Sequence, residues 1–169
     1  ANRFTGGRTR YFPHLTGGAG ELPHKVEWLR SHGVAGVLVS PLHLGWETVS
    51  WLARTSELAL LAHPSGTGAF FAPDHGIAPA VLLGDVFRMI GCDAVIYPNV
   101  GGRFSFDLAT CEAINRALRG SLGELRPAFP APGGGIDRSR MPLWIERYGP
   151  DTLFLLGGSL YGAPDLEQA

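Results

Sequence analysis

Short apolar runs alternate with segments of helical spacing along the whole chain. The runs are mostly continuous rather than alternating, which is typical of strands buried on both faces of a parallel sheet. Six strands are predicted, at residues 10–15, 34–40, 58–63, 93–98, 126–131 and 152–156. Since each intervening segment has apolar residues on one helical face, the pattern predicts alternating strands and helices.

The apolar positions of the predicted helices indicate which side chains pack on the sheet. They are Leu22, Val26 and Leu29; Val49 and Leu52; Leu82, Val86 and Met89; Leu108, Cys111, Ile114 and Leu118; and Leu143 and Tyr148. One strand follows the next after about 24 to 35 residues, the size of a βα unit. This spacing fits both a doubly wound open sheet and a (β/α)8 barrel.

The two ends of the chain bear on that choice. Only residues 157–169 follow the sixth predicted strand, too few for a full closing helix, and the chain opens almost directly on a strand. An incomplete TIM barrel that contains about strands 3 to 8 accounts for both ends. An open sheet would need no missing parts, so the pattern alone predicts one α/β domain over residues 1–169 and leaves the choice between sheet and barrel open.

Composition excludes several classes of protein. The 169 residues are 45% hydrophobic, with 14 Lys and Arg against 15 Asp and Glu and a net charge of −1, so no basic surface for nucleic acid is expected. No apolar run reaches the roughly 18 residues of a membrane-spanning helix, and the first residues (ANRFTGGRTR) lack the apolar core of a signal peptide. These features predict a cytoplasmic protein. Cys92 and Cys111 lack a CxxC context, which predicts two small buried side chains.

Glycine is unusually frequent, with 24 residues in 169. This is roughly double the ordinary share. Many of these glycines follow the predicted strands, at Gly17-Gly18, Gly66 and Gly68, Gly101-Gly102, Gly133 to Gly135 and Gly157-Gly158. Their positions mark the loops at the carboxyl ends of the strands, where α/β proteins carry their functional residues.

Polar side chains follow the same strands. They are His14, Ser40 or His43, His63, Asn99 and Arg103. One histidine alone is most often structural. Because three histidines occupy matching places in successive units, we expect at least one to line a pocket.

The glycines after the last two predicted strands suggest an anion site. Backbone amides of the 133–136 and 157–159 segments can form a cradle for a phosphate, although a pair of tight turns is the simpler alternative. The loop after the fourth predicted strand ends in Arg103, which follows two glycines. This flexible arginine can swing over a phosphate or an oxyanion. A solvated loop arginine is the alternative.

Carboxylates are missing from the predicted strand ends. Asp74, Asp107 and Asp137 lie in loops or before helices, where capping explains them. The sequence therefore offers no obvious oxygen-ligand set for Mg2+.

Several ordered motifs resemble one family. The segments GGGIDRSRMP (133–142) and YGPDTLFLLGGSLYGAP (148–164) resemble the last two barrel strands of the RuBisCO large subunit. The segment YPNVGGRFSF (97–106) resembles the sixth-strand loop of the RuBisCO-like proteins, which do not fix carbon. The resemblance begins at YFPHLTG (11–17), as barrel strand three, and covers essentially the whole chain. It implies that residues 1–169 are the C-terminal portion of a TIM barrel that contains about strands 3 to 8.

The resemblance implies roles for individual residues. Arg103 stands in the place of the family's mobile-loop lysine, His63 matches a histidine near the metal, and His14 aligns with an asparagine. The implied phosphate cradle is Gly134, Gly135, Gly157 and Gly158, and the other implied lining residues are Asn99, Gly102 and Gly133.

Departures from the family pattern argue against carbon fixation. Pro64 stands where carboxylases have an arginine for a second phosphate, and Gly133 replaces a serine. The strand-six histidine is lost around Ile96, and Arg103 replaces lysine at a positioned site. The resemblance instead implies enolate chemistry on a singly phosphorylated sugar-acid or keto-acid derivative: decarboxylation, carbon–carbon cleavage or isomerisation.

The resemblance also implies a cofactor and a partner. The family's Mg2+ ligands, a carbamylated lysine and two carboxylates, lie on barrel strand two, which precedes Ala1. In the family, an N-terminal domain of a neighbouring subunit completes the site. The resemblance therefore implies that the full-length enzyme is a homodimer or higher homo-oligomer. It also implies that this chain alone is inactive. Three alternatives stay open: a non-catalytic phosphate-binding half-barrel, a ribulose bisphosphate carboxylase, and a flavodoxin-like nucleotide-binding sheet.

Overall fold

The computed structural model describes Gly6, residues 9–104 and residues 106–161. Its sheet consists of β1 Gly36–Val39, β2 Ala59–Ala62, β3 Ala94–Pro98 and β4 Phe129–Gly133. The helices are α1 Leu22–Ser31, α2 Pro41–Leu44, α3 Trp46–Thr55, α5 Leu108–Arg119, α6 Met141–Tyr148 and α7 Gly158–Tyr161. Between β2 and β3, a 3-10 turn spans Thr67–Phe70, and α4 consists of a π-helical stretch, Ala80–Val86, continued by Phe87–Met89.

The four strands are all parallel and pair in the order in which they occur in the chain. Among the described strands there is no switch point, so the flavodoxin-like alternative is wrong. Strands paired in sequence order, each followed by helical structure, form the wall of a (β/α)8 barrel. The α/β class predicted from the apolar pattern is confirmed.

The first predicted strand forms only one bridge, between His14 and Leu38 of β1. The amide of Leu38 donates to the Pro13 carbonyl at 2.9 Å, and the amide of Leu15 donates to the Leu38 carbonyl at 2.8 Å. Pro13 has no N–H to extend this pairing. The expectation of a regular strand over residues 10–15 is therefore wrong, although the segment lies parallel beside β1.

The sixth predicted strand is likewise reduced to a single bridge, between Leu155 and Gly133. The amides of Leu153 and Leu155 donate to the carbonyls of Pro130 and Pro132, at 2.9 and 3.2 Å. These prolines accept hydrogen bonds on that edge of β4 but have no N–H to donate in return. The missing donors explain why a predicted strand became an isolated bridge.

The fifth predicted strand lies closer to the C-terminus than expected. The amide of Ala128 donates to the Leu118 carbonyl at 2.9 Å, so the chain up to this point is held by the end of α5. Pairing with β3 starts only at Phe129, whose amide donates to the Asp93 carbonyl at 2.8 Å. The predicted range of residues 126–131 is corrected to that of β4.

One face of the sheet packs against the helices. Its fully buried side chains include Val37, Val39, Leu60, Ala62, Val95 and Tyr97, which join the helix residues in one core. The opposite face carries Leu38, Leu61 and Ile96, which are only half-buried. In a closed barrel that second face lines the interior.

The π-helical stretch of α4 changes which residues face the core. Leu82, Leu83 and Phe87 are buried, whereas Val86 is half-buried and Met89 is 54% exposed. The prediction that Met89 lies on the buried face is wrong, because the wider turn of a π-helix rotates later residues away from the 3.6-residue pattern.

A buried arginine joins α4 to the end of α5. Arg88 is only 3% exposed. Its guanidinium donates to the carbonyls of Arg126, Ala117, Gly120 and Leu125 at 2.6 to 3.1 Å. These bonds give the buried cation its hydrogen-bond acceptors. They also give donors to carbonyls in and after the last turn of α5, which have no partner within the helix.

Neither cysteine pairs with the other. Cys92 and Cys111 are free and buried, as predicted, and burial raises the pKa of the Cys92 thiol to about 12. None of the described helices has the length and apolarity needed to cross a membrane.

Replacing Arg88 by methionine should lower the free energy of unfolding by about 3 kcal/mol, since several carbonyls lose a charge-assisted donor. Urea unfolding of the chain, followed by circular dichroism, measures the change. Arg54→Met is the matched control, because exposed Arg54 of α3 has one side-chain hydrogen bond, to Ser50. If both variants lose the same free energy of unfolding, the hydrogen bonds of Arg88 do not stabilise the fold.

Candidate functional site

The carboxyl ends of the four strands meet at one edge of the sheet, which we call the carboxyl edge. The first residues after the strands are Ser40, His63, Asn99 and Gly134. They come together because of the parallel register, in which Val39 pairs with Ala62 and Pro98 with Gly133. β2 and β4 are two strand spacings apart, about 10 Å, and Gly134 also lies further along the sheet than His63, because Ala62 is level with Val95 rather than with Pro98.

One side of the carboxyl edge is a histidine cluster formed by His14, His43 and His63. The rings of His14 and His63 have centroids 6.5 Å apart, and Nε2 of His14 lies 3.1 Å from Oγ of buried Ser40. The amide of His63 donates to the Val39 carbonyl at 2.7 Å. The structure therefore places the three predicted histidines near one another.

Burial lowers the pKa of His63, and the nearby His14 and His43 lower it further. The ring is consequently neutral at pH 7. Its Nδ1 is enclosed and has no hydrogen-bond partner within the described part of the chain. A neutral imidazole can accept a proton on the ring nitrogen that carries none.

The other side of the carboxyl edge is a contact between two glycine segments. A Cβ on Gly135, at φ +66°, would lie 2.3 Å from the Val100 carbonyl oxygen. A Cβ on Gly102 would lie 3.0 Å from Cα of Gly134. The loop after β3 thus packs backbone against backbone on the turn after β4, and no other residue fits there.

Gly157 and Gly158 lie beside that turn, because Leu155 bridges to Gly133. A Cβ on either glycine would meet no atom of the described residues within 4 Å. Packing therefore does not require glycine here, in contrast to Gly135. The space around them is compatible with the predicted phosphate cradle, which stays a prediction.

Asn99 lies beneath the loop after β3 and is completely buried. Its Oδ1 accepts a hydrogen bond from the Tyr148 hydroxyl at 2.8 Å, and its carbonyl accepts one from the Gly102 amide at 3.3 Å. Its Nδ2 is enclosed without an acceptor among the described residues. Asn99 therefore supports the loop; its predicted contact with substrate is not visible in this arrangement.

Arg103 is exposed at the end of the same loop. Its guanidinium lies over the ring of Phe104, 5.3 Å from the centroid, and Phe104 is itself 74% exposed. The arginine is thus not held against the glycine turn, and its predicted role requires the loop to move.

A second arginine, which the sequence did not single out, lies closer to the glycines. Nη1 of Arg140 is 3.5 Å from the Gly135 carbonyl oxygen and 3.9 Å from the Cβ position of Gly101. Its guanidinium lies 5.2 Å from the ring centroid of Trp144. The sequence signal was its place just before the Met-Pro pair that opens α6.

Asp137 positions the backbone of Arg140. Its Oδ1 accepts hydrogen bonds from the Ser139 hydroxyl at 2.6 Å and the Arg140 amide at 2.9 Å, which lower the pKa of the carboxyl group. Asp107 likewise accepts from the Thr110 amide at 2.7 Å and caps α5. The predicted capping role of Asp107 is confirmed, whereas Asp137 holds the turn before α6 and does not cap that helix, whose N-cap residue is Arg140.

The residues of this edge do not fit Mg2+. Within residues 9–104 and 106–161, no group of three or more His, Cys, Asp or Glu side chains is placed to hold a metal ion. The polar side chains nearest His63 are imidazoles and a hydroxyl, whereas Mg2+ prefers carboxylate and carbonyl oxygens. We therefore derive no reaction step through a metal.

No family model matches the chain. A curated relative, 5-methylthioribulose-1-phosphate isomerase of Rhodospirillum rubrum, is 41% identical over 165 residues, which are 97% of this chain and 43% of the relative. A second, 2,3-diketo-5-methylthiopentyl-1-phosphate enolase of Geobacillus kaustophilus, is 32% identical over 95% of this chain and 40% of its own length. The chain thus spans about two fifths of these relatives.

A solved structure also matches nearly the whole of this chain. The rubisco-like protein from Alicyclobacillus acidocaldarius superposes with a TM-score of 0.89 at 31% identity, over 96% of this chain and 42% of that protein. The barrel-type fold expected from the sequence is confirmed.

The lowered pKa of His63 gives a prediction for stability against pH. The unfolded chain takes up this proton at about pH 6.5, before the folded chain does, so the free energy of unfolding falls as the pH drops below that value. His63→Gln should make the fall smaller. Urea unfolding at pH 7.5 and 5.5 measures this fall in the free energy of unfolding. His75→Gln, the same change in an exposed loop, is the control. If His63→Gln shows the same pH dependence as the parent chain, the lowered pKa of His63 does not affect stability.

Gly135→Ala should separate the loop after β3 from the turn after β4 and lower the free energy of unfolding by about 2 kcal/mol, because the new Cβ meets backbone at a positive φ. Hydrogen exchange should rise at residues 100–104. Gly68→Ala is the control, since no atom lies within 4 Å of its Cβ position. Equal exchange in both variants would show that the contact does not hold the loop.

Proposed function

The chain belongs to the family of RuBisCO and the RuBisCO-like proteins and corresponds to their C-terminal barrel portion, and from this we propose that the whole protein is a RuBisCO-like isomerase or lyase. Its reaction is enolisation: movement of a proton next to the carbonyl of a singly phosphorylated keto sugar or keto acid. The observation that carries the proposal is the carboxyl edge itself, where a neutral imidazole lies at the end of β2 and a glycine turn beside Arg140 follows β4.

His63 is the proposed proton acceptor. A ring nitrogen takes a proton from the carbon next to the carbonyl, the electrons of that C–H bond form a carbon–carbon double bond, and the C=O electron pair moves to the oxygen. Isomerisation is completed when the proton returns to the former carbonyl carbon, while the neighbouring hydroxyl passes its proton to the enolate oxygen and becomes the new carbonyl. An imidazole that is neutral at pH 7 is ready to accept this proton. His14 lies near enough to support or replace His63 in the transfer.

The glycine side of the edge is the proposed phosphate end. Amides of Gly134, Gly135, Gly157 and Gly158 face a phosphate there, as they do in the family. Arg140 lies beside this cradle, and Arg103 reaches it when the loop after β3 moves. The two arginines supply the positive charge that a phosphate or an enolate oxygen requires.

Isomerase or enolase activity is favoured over carboxylation. The relative at 41% identity is named an isomerase and the one at 32% an enolase, both of phosphorylated compounds. Pro64 directly after His63 supplies no cation for a second phosphate. A substrate with a single phosphate matches a single cradle. We therefore rank isomerisation first and cleavage or decarboxylation second.

The remainder of the proposal concerns what lies outside this chain. We propose that carboxylates outside residues 1–169 would hold Mg2+, which would supply a Lewis acid near the carbonyl, and that a neighbouring subunit completes the site. The whole protein is then a homo-oligomer with an N-terminal domain besides the single domain 1–169, and residues 1–169 by themselves are inactive. A cytoplasmic location stays a prediction.

The test is solvent exchange by the whole protein. In heavy water with Mg2+ and bicarbonate, 5-methylthioribulose 1-phosphate or 2,3-diketo-5-methylthiopentyl 1-phosphate should gain deuterium next to the carbonyl, read by NMR. Exchange with neither compound, but binding of both, would favour the non-catalytic phosphate-binding protein. Fixation of carbon dioxide onto ribulose 1,5-bisphosphate would favour the carboxylase.

The two arginines should differ in kinetic effect. Arg140→Gln should raise KM about tenfold with little change in kcat, because it removes a charge that the bound phosphate keeps throughout the reaction. Arg103→Ala should lower kcat about tenfold or more, because it acts only when the loop covers the reacting atoms. Arg54→Gln on α3 is the control. Unchanged turnover in Arg103→Ala would exclude the loop role.

A further inference from the structure

A cavity of about 580 Å3 lies in the groove between α5 and α6, on the outer face of the helices. It is lined by Glu112, Asn115, Arg116, Arg119, Gly120 and Arg147. Its volume lies within the range of small-molecule sites. None of these residues belongs to the carboxyl edge, so the proposed function makes no use of them.

The charged side chains of this groove are mostly cationic. Three guanidinium groups face one carboxylate, and that carboxylate is already engaged, since Nη1 of Arg147 lies 3.2 Å from Oε1 of Glu112. Arg116 is exposed, and its side chain has no hydrogen bond or ion pair within the described part of the chain. The groove therefore has an excess of two positive charges, which would be balanced by a dianion.

Arg119 has donors without acceptors. Its Nη2 donates to the Asp151 carbonyl at 2.8 Å and also to the Thr152 hydroxyl. Its Nε is enclosed and has no acceptor among the described residues. An enclosed N–H without an acceptor costs free energy comparable to a lost hydrogen bond. This N–H is closed off from the groove, so Arg119 would reach an anion there with its Nη1, which has no hydrogen bond among the described residues.

Asn115 adds a neutral donor. Its Oδ1 accepts a hydrogen bond from the buried Tyr97 hydroxyl at 2.7 Å. Because the oxygen is used in this way, the amide nitrogen is the part of the group left for the cavity. The groove thus offers donors from four side chains and almost no acceptor.

We propose that the groove between α5 and α6 binds a small phosphorylated molecule, with Arg116, Arg119 and Arg147 around the phosphate. Planar guanidinium forks bind phosphate oxygens in pairs. The volume leaves room for an organic group besides the phosphate. The site is independent of the proposed reaction and would exist in a catalytically inactive protein as well.

The first test uses pyrophosphate as the probe and the whole protein, by titration calorimetry. Arg116→Gln should raise the dissociation constant about tenfold, because one charge-assisted contact is lost. Arg54→Gln, the same change on exposed α3, should leave it as in the parent protein. The assignment is wrong if Arg116→Gln binds as tightly as the parent. Citrate serves as the carboxylate probe, and equal or tighter binding of citrate would overturn the phosphate assignment.

A second variant should tighten binding, which a damaged fold would not do. Glu112→Gln removes the one carboxylate among the described residues that line the groove and frees Arg147, so the dissociation constant for pyrophosphate should fall several-fold. Glu47→Gln on α3 changes the net charge equally but lies outside the groove, and should have little effect. Weaker binding in Glu112→Gln, or an equal gain in both variants, would overturn the proposal.

Discussion

The structure depends on the pairing of four short parallel strands in the order in which they occur along the chain. Each has only four or five residues, and its backbone hydrogen bonds are completed by the strands immediately before and after it. Every helix must therefore return the chain to the amino end of the sheet, so all carboxyl ends lie at the same edge. Residues as distant in sequence as Ser40 and Gly134 are brought together for this reason alone.

Local sequence signals were sufficient for most of the fold. The four sheet strands, the buried positions of α1 and α3, and the cap at Asp107 follow from apolar spacing and residue type. The grouping of the three histidines also follows, because each comes at or shortly after the end of a strand. The first and sixth predicted strands are exceptions, because prolines in β4 and before His14 have no N–H to donate to a neighbouring strand. Met89 is a third exception, because the wider π-helical turn in α4 rotates it away from the core.

Contacts between distant backbones could not be predicted in this way. The glycine excess suggested loops and a phosphate cradle, but Gly135 is required first of all by its approach to the Val100 carbonyl. Gly157 and Gly158 have no such packing requirement. The position of Arg140 beside the turn depends on the same contact, since it lies near both Gly101 and Gly135. No spacing along the sequence reports how closely two loops approach.

The two sides of the carboxyl edge have different electrostatic character, and this difference gives a substrate its direction. Arg140 makes the glycine side cationic, whereas burial and the neighbouring histidines keep His63 neutral at pH 7. A charged imidazole would offer the phosphate a second cationic site and allow the substrate to bind in the reverse orientation. The burial that leaves His63 able to accept a proton therefore also directs the phosphate to the other side, so a single desolvation effect serves both the proposed chemistry and the orientation of its substrate.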